Sequence, residues 1–226
     1  MVCYRQKGGG GMERTLACFD FDGTMIRGDS ITAYLRLARR RGFVSPLGMA
    51  GTGLHTGAYF LGLENGDQVK THALRFLSRL SQRDRRKLDE DFVRQDLIPR
   101  LYPSALAQWK KHQADGCVML LVSASTDNYM RLIADYLRAD GLLCTHVKKD
   151  GTVEGNCKGE EKPRRIRSWL SERGIRADWA ASFAYGDSKS DLPMLRLTGH
   201  PVQVNPKKKL RRAAPEMDAV TWDEPR

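Results

Sequence analysis

The sequence predicts an α/β protein, a doubly wound, Rossmann-like parallel sheet with an inserted helical cap and a small β-hairpin. Three observations predict it. Short apolar runs stop abruptly at polar residues, as buried parallel strands do at their carboxyl edges. Helical patterns alternate with these runs, which is the signature of a layered α/β fold. A long helical stretch, residues 29–102, interrupts that alternation between the first and second runs.

Taken in order, residues 1–11 end in four glycines and carry no periodicity, so they are read as a flexible tail. Residues 12–28 and 103–226 are assigned to the core. Thr15 to Asp20 (TLACFD) is its first strand. Within the insertion, Ser30 to Arg41 places Ile31, Tyr34, Leu35 and Ala38 at helical spacing, and Gln68 to Leu80 does the same with Val69, Ala73, Phe76, Leu77 and Leu80. Ser81 with Asp84 resembles the start of a third helix, reaching towards Pro99. Between the first two lies Phe43 to Leu63, which contains no Asp, Glu, Lys or Arg but five glycines and Pro46. It is too broken for a membrane span. Packing between cap helices is the expectation, and contact with a membrane surface or an acyl chain is the alternative.

After the insertion, Cys117 to Val122 (CVMLLV) is a second core strand ending at Ser123. Thr126 to Ala139 then puts Tyr129, Met130, Ile133, Tyr136 and Leu137 on one helical stripe. Asp150-Gly151 between alternating residues marks a β-hairpin over Thr145 to Cys157. A helix follows from Pro163, a first-turn position where the missing N–H does no harm. Ala181 to Tyr185 (ASFAY) is a third strand ending at Gly186 and Asp187, and Pro201 to Val204 leads into a basic helix from about Lys207.

Bulk properties narrow the function. No run of about 18 strongly apolar residues occurs and the N-terminus lacks an apolar signal region, so a soluble, cytoplasmic protein is expected. Five scattered cysteines without a C-x-x-C pair give no zinc or redox motif. The formal charge of +11 favours anionic partners. The basic residues fall in short clusters along the chain without interleaved aromatics, so stable nucleic-acid binding is not expected.

The chemistry-bearing residues gather at strand ends. Asp20 and Asp22, separated by one residue, point the same way in extended chain and can converge on one substrate as nucleophile and proton donor. Alone, such a pair is as easily an acidic turn. Gly186-Asp187-Ser188-Lys189-Ser190-Asp191 supplies a second pair of carboxylates. A calcium-loop reading fails because position 6 from Asp187 is Leu192 and position 12 is Thr198. Asp187 and Asp191 suit an open, oxygen-rich Mg²⁺ site completed by substrate phosphate and water.

DFDGT, VSAST, a lysine before a helix, and GDSKSD resemble the four ordered motifs of the haloacid dehalogenase superfamily, in the branch similar to phosphoserine phosphatase. The match runs over residues 16 to about 205. The resemblance implies a Mg²⁺-dependent phosphatase in which Asp20 attacks phosphorus, forming an aspartyl-phosphate, and Asp22 acts as general acid and base. It implies that Thr24, Ser123, the N–H of Ala124, Lys162 and Ser190 hold the phosphate. It also implies that Asp20, Asp187, Asp191 and the carbonyl of Asp22 hold Mg²⁺. Lys162, next to the helix start, is preferred over Lys158. Asp29 matches a substrate-binding acid of phosphoserine-specific relatives, but capping the helix from Ser30 is the preferred role. The expected substrate is a small phosphorylated metabolite; an amphiphilic phosphate and a non-catalytic binding module are the alternatives.

Overall fold

The computed structural model describes residues 13–223, the Phe60 side chain excepted; the tail at 1–11 lies outside them. A two-residue strand β1 (Glu13–Arg14) precedes β2 (Leu16–Phe19), every residue of which is buried. The helices α1 (Ser30–Arg40), α2 (Pro46–Phe60), α3 (Gly66–Leu74) and α4 (Gln82–Phe92) follow, then α5 (Pro103–Ala114). Next come β3 (Val118–Thr126), α6 (Asp127–Leu137), β4 (Gly141–Val147), β5 (Val153–Glu154) and α7 (Glu161–Glu172). The chain closes with β6 (Arg176–Ala177), β7 (Phe183–Gly186), α8 (Leu192–Leu195), β8 (His200–Val204), α9 (Lys208–Ala213) and β9 (Asp218–Val220).

Seven strands form one sheet in the order β5-β4-β3-β2-β7-β8-β9, parallel except for the β4–β5 hairpin; β1 and β6 pair separately. Because successive strand residues face opposite sides, β2 and β3 feed two cores. Ala17, Phe19, Met119 and Leu121 join one cluster, and Leu16, Cys18, Leu120 and Val122 the other. The first cluster continues through Tyr34 of α1, Leu77 in the turn after α3 and Phe92 of α4. The central trio β3-β2-β7 therefore brings the ends of three chain-distant motifs side by side. This is where ligands bind in open α/β sheets.

Several expectations change in detail. The helix read as Gln68 to Leu80 starts at Gly66 and tightens after Leu74 into a narrow turn over Arg75–Arg79. The helix from Ser81 ends at Phe92 and continues as a wide turn over Val93–Leu97, close to Pro99, whose nitrogen cannot donate to a helical ladder. Tyr136, expected on the buried stripe, is 51% exposed, because α6 buries only the face of Tyr129, Met130, Ile133 and Leu137. The lysine-bearing helix α7 begins at Glu161, two residues before Pro163.

The largest correction concerns Phe43 to Leu63. Its middle forms α2, which packs on one face only: Phe43, Val44 and Met49 lie half-buried against the core, but no described side chain of the helix is fully buried and its leucines stay outside. Only one face meets a neighbour: the His55 ring lies 3.7 Å from that of His72 in α3. Among the described residues no helix is long and apolar enough to cross a membrane.

Candidate active site

β2 ends at Phe19, and the backbone N–H of Asp20 still donates to the Tyr185 carbonyl of β7 at 3.0 Å. That bond holds the Asp20 carboxyl in a fixed, buried position. Its Oδ1 accepts from Lys162 Nζ at 2.6 Å, and its Oδ2 accepts from the Thr24 hydroxyl at 3.2 Å. Gly23 makes the turn between them with φ +80°, a conformation that favours glycine. A Cβ there would also stand 2.2 Å from Asp187 Oδ2, so the backbone of the first motif presses against the carboxylate of the last.

Lys162 comes from the first turn of α7 and is 1% exposed. Its ammonium also donates to Asp191 Oδ1 at 2.6 Å. Asp191 keeps its other oxygen on Ser188, accepting from the backbone N–H at 2.9 Å and the hydroxyl at 2.7 Å. Burial alone would lower the Lys162 pKa, but Asp191 and Asp20 outweigh it and raise it. Burial likewise opposes ionisation of Asp191, yet Lys162 and Ser188 hold its pKa below the ordinary value. Asp20 differs: burial, with Asp191 and Asp187 nearby, raises its pKa well above 3.8 against the pull of Lys162.

Asp187 follows directly on β7 and accepts from Lys207 Nζ at 2.5 Å; burial raises its pKa and Lys207 opposes the rise. Oxygens of Asp20, Asp187 and Asp191 all lie within 4.8 Å of one another, and all three residues are buried. Hard carboxylate oxygens brought this close together are a donor set that Mg²⁺ accepts. The residues present therefore fit that ion.

Asp22 is held by a different group. It accepts from the Ser30 N–H at 2.7 Å, from the Ser30 hydroxyl at 3.1 Å and from the Ser125 hydroxyl, and Ser30 Oγ also meets Tyr129 OH at 3.0 Å. Burial and the nearby charge of Asp29 push the Asp22 pKa up to about 6, against these hydrogen bonds. Asp29 itself caps α1, its Oδ1 accepting from the Thr32 N–H at 2.7 Å.

Ser123 and Ala124, expected from the sequence to hold phosphate, sit where β3 loses regular pairing with β4, between Ser123 and Thr126. Such an irregularity re-aims side chains at a strand end. Ser123 is buried and its hydroxyl accepts from the Ser125 N–H at 3.0 Å. The Ala124 carbonyl is held by Lys70 Nζ at 2.5 Å and Thr145 Oγ1 at 2.7 Å. Ser190 is not joined to this group; its hydroxyl pairs with Ser188 Oγ at 2.8 Å. Lys158 points elsewhere, donating to Tyr59 OH at 3.1 Å.

Lys70, Ser30, Ser125, Tyr129 and Lys207 escaped the sequence reading. In the sequence Tyr129 reads only as part of a buried helical stripe, Ser30 as a helix start, Ser125 as a letter of the VSAST motif and Lys207 as one of a basic cluster, while Lys70 looks like an ordinary solvated lysine of a cap helix. Burial and the nearby Lys158 charge push the Lys70 pKa down to about 8. That environment exists only once α3 lies over the end of β3.

A sequence profile of haloacid dehalogenase-like hydrolases matches residues 17–196. A histidinol-phosphatase of Neisseria meningitidis serogroup C is 29% identical over 215 residues, 90% of this chain and 96% of that protein. Among solved structures, a protein of unknown function from Bordetella pertussis Tohama I superposes with a TM-score of 0.83 at 25% identity, covering 92% of this chain and 98% of that one. A phospho-aspartyl intermediate analogue of phosphoserine phosphatase superposes at 0.67 with 20% identity, over 94% of this chain and 95% of that one, a likeness of fold.

Proposed function

The chain belongs to the haloacid dehalogenase-like hydrolase family, and on that premise we propose that it is a Mg²⁺-dependent phosphatase hydrolysing a small phosphate monoester through an aspartyl-phosphate on Asp20. The observation that carries the reading is the buried bridge of Lys162 between Asp20 and Asp191, beside Asp187, at the ends of adjacent strands.

In the proposed mechanism an Asp20 carboxylate oxygen attacks phosphorus, the bond from phosphorus to the ester oxygen breaks, and Asp22 gives its proton to the departing alkoxide. Water then attacks the acyl-phosphate, Asp22 takes a proton from that water, and inorganic phosphate leaves with Asp20 restored. Lys162 orients the nucleophile and offsets charge on the transferring group, while Ser123 and the Ala124 N–H receive phosphate oxygens. Asp20, Asp187, Asp191 and the Asp22 carbonyl would hold Mg²⁺, which when bound supplies charge neutralisation for the phosphoryl group. Thr24 steadies the nucleophile through its hydroxyl. We assign Ser190 to shaping the loop with Ser188 and not to phosphate contact.

The raised pKa of Asp22 predicts a pH signature. With a value of about 6, its acid form predominates below that pH and declines tenfold per unit above it. The kcat/KM for an alkyl phosphate, whose leaving group needs a proton, should therefore fall as pH rises through about 6. That of p-nitrophenyl phosphate, whose leaving group needs none, should lack this fall, while ionisation of Asp20 and of the substrate phosphate acts on both profiles alike, so the ratio of the two reports Asp22. Parallel profiles for both substrates would remove Asp22 from the acid role.

The substrate class is tested by a panel of phosphorylated metabolites, assayed with Mg²⁺ and with EDTA. Aminoalkyl phosphates belong on it, given the histidinol-phosphatase relative. We expect turnover of one class to stand out and to vanish with EDTA. Undiminished turnover in EDTA would sink the metal dependence, and no turnover of any member would sink the phosphatase reading.

A further inference from the structure

We infer that the outer face of α2 is a docking surface for a bilayer containing anionic lipids. The inference concerns where the chain binds and does not rest on the proposed catalytic reading.

Leu47, Leu54 and Leu61 are spaced seven residues apart and are 84%, 76% and 77% exposed. Seven residues are nearly two helical turns, so these side chains form one stripe along α2 and its C-terminal end. Leu63, just past the turn at Gly62, is also 75% exposed. Isolated exposed leucines are ordinary, but four of the five large exposed hydrophobics among the described residues fall on this one segment. No charged residue interrupts it between Phe43 and Leu63. The opposite face is already occupied by α3, so α2 cannot turn its leucines inward.

Charge selects the occupant. At the N-terminal end of α2 a groove of about 220 Å³ is lined by Phe43, Val44 and Leu47 together with Arg75 and Arg79. Both arginines are exposed, as are Arg39 and Arg40 at the end of α1. A second copy of the chain would set arginines against arginines and carry a net charge of +11 to an equal charge. An anionic surface answers both parts of the patch: the leucines enter the boundary between headgroups and acyl chains, and the guanidinium groups meet lipid phosphates. The overall positive charge draws the chain to such a surface.

The test is co-sedimentation of the full chain with vesicles of phosphatidylcholine alone, and with vesicles also containing phosphatidylglycerol, at low and high salt. We expect binding to the anionic vesicles that weakens with salt. The double substitution Leu47→Glu with Leu54→Glu should reduce it at least about tenfold. Arg75→Gln and Arg79→Gln should each reduce it about fivefold. Thermal unfolding checks that the variants fold, and Leu61→Ser, beyond the end of α2, gives a milder change if the double variant does not. Three results would overturn the inference: failure to sediment with anionic vesicles, binding unchanged in the leucine variants, or self-association in light scattering that those variants abolish without any vesicle binding.

Discussion

Asp20→Asn is expected to lower phosphate-monoester turnover by at least about 10⁴-fold, the scale seen when a residue acting as nucleophile in a preorganised site is removed. An amide oxygen can still accept the Lys162 proton, and the side-chain volume is unchanged. Burial and the neighbouring Asp191 and Asp187 already disfavour a charge at this position. The variant should therefore fold with undiminished thermal stability, and the loss of rate is then a loss of chemistry. A second measurement separates the nucleophile from a residue that only binds metal. Acid-quenched wild-type enzyme should carry a phosphoryl group that hydroxylamine releases, as an acyl-phosphate does, and Asp20→Asn should carry none. Full turnover by the variant, or a labelled adduct still present in it, rules out the proposed nucleophile.

Lys162→Met should have the next largest effect, and on two quantities. The ammonium is the shared partner of two buried carboxylates, each at 2.6 Å. Removing it strands Asp20 and Asp191 together in a buried site, where breaking a buried ion pair costs about 3–5 kcal/mol. The loss of charge stabilisation at the transferring phosphoryl group should lower kcat by about 10²–10³-fold. Denaturant unfolding reads the first effect, and kcat measured under conditions where the variant is folded reads the second. Lys162→Arg should not restore activity, because a planar fork cannot occupy the compact position of an ammonium between two carboxylates. A variant of Lys162→Met with normal kcat but reduced stability would make this lysine structural only.

The two variants probe residues that were legible to very different degrees. Asp20 stood out because it ends an apolar run, and a buried strand has to stop where charged residues begin. The three core strands, the hairpin at Asp150-Gly151 and the cap at Asp29 were readable for similar local reasons: periodicity, turn chemistry and capping act within a few residues. Lys162 needed a resemblance to choose it over Lys158. Lysines in loops before helices look alike until the helix is packed and one of them is buried.

Other features depended on contacts between distant parts of the chain. The sequence suggested that Asp20 and Asp22 would act from a shared direction, but their hydrogen-bond partners differ: Lys162 and Thr24 for one, Ser30 and Ser125 for the other. Lys70 and Lys207 lie 54 and 20 residues from the groups they hold, Ala124 and Asp187. The apolar stretch from Phe43 to Leu63 was visible as composition, yet whether its leucines were buried turned on what else covers α2.

By itself, the sequence determined the alternating α/β plan, the run of helices after the first strand, and the carboxylates at the strand ends, because each follows from local periodicity and from where apolar runs must stop. Only the tertiary structure decided which lysine meets Asp20, which groups raise the pKa of Asp22, and which side of α2 faces outward. Those outcomes depend on burial and on distances between residues far apart in the chain, and neither quantity exists until the sheet and its helices are packed.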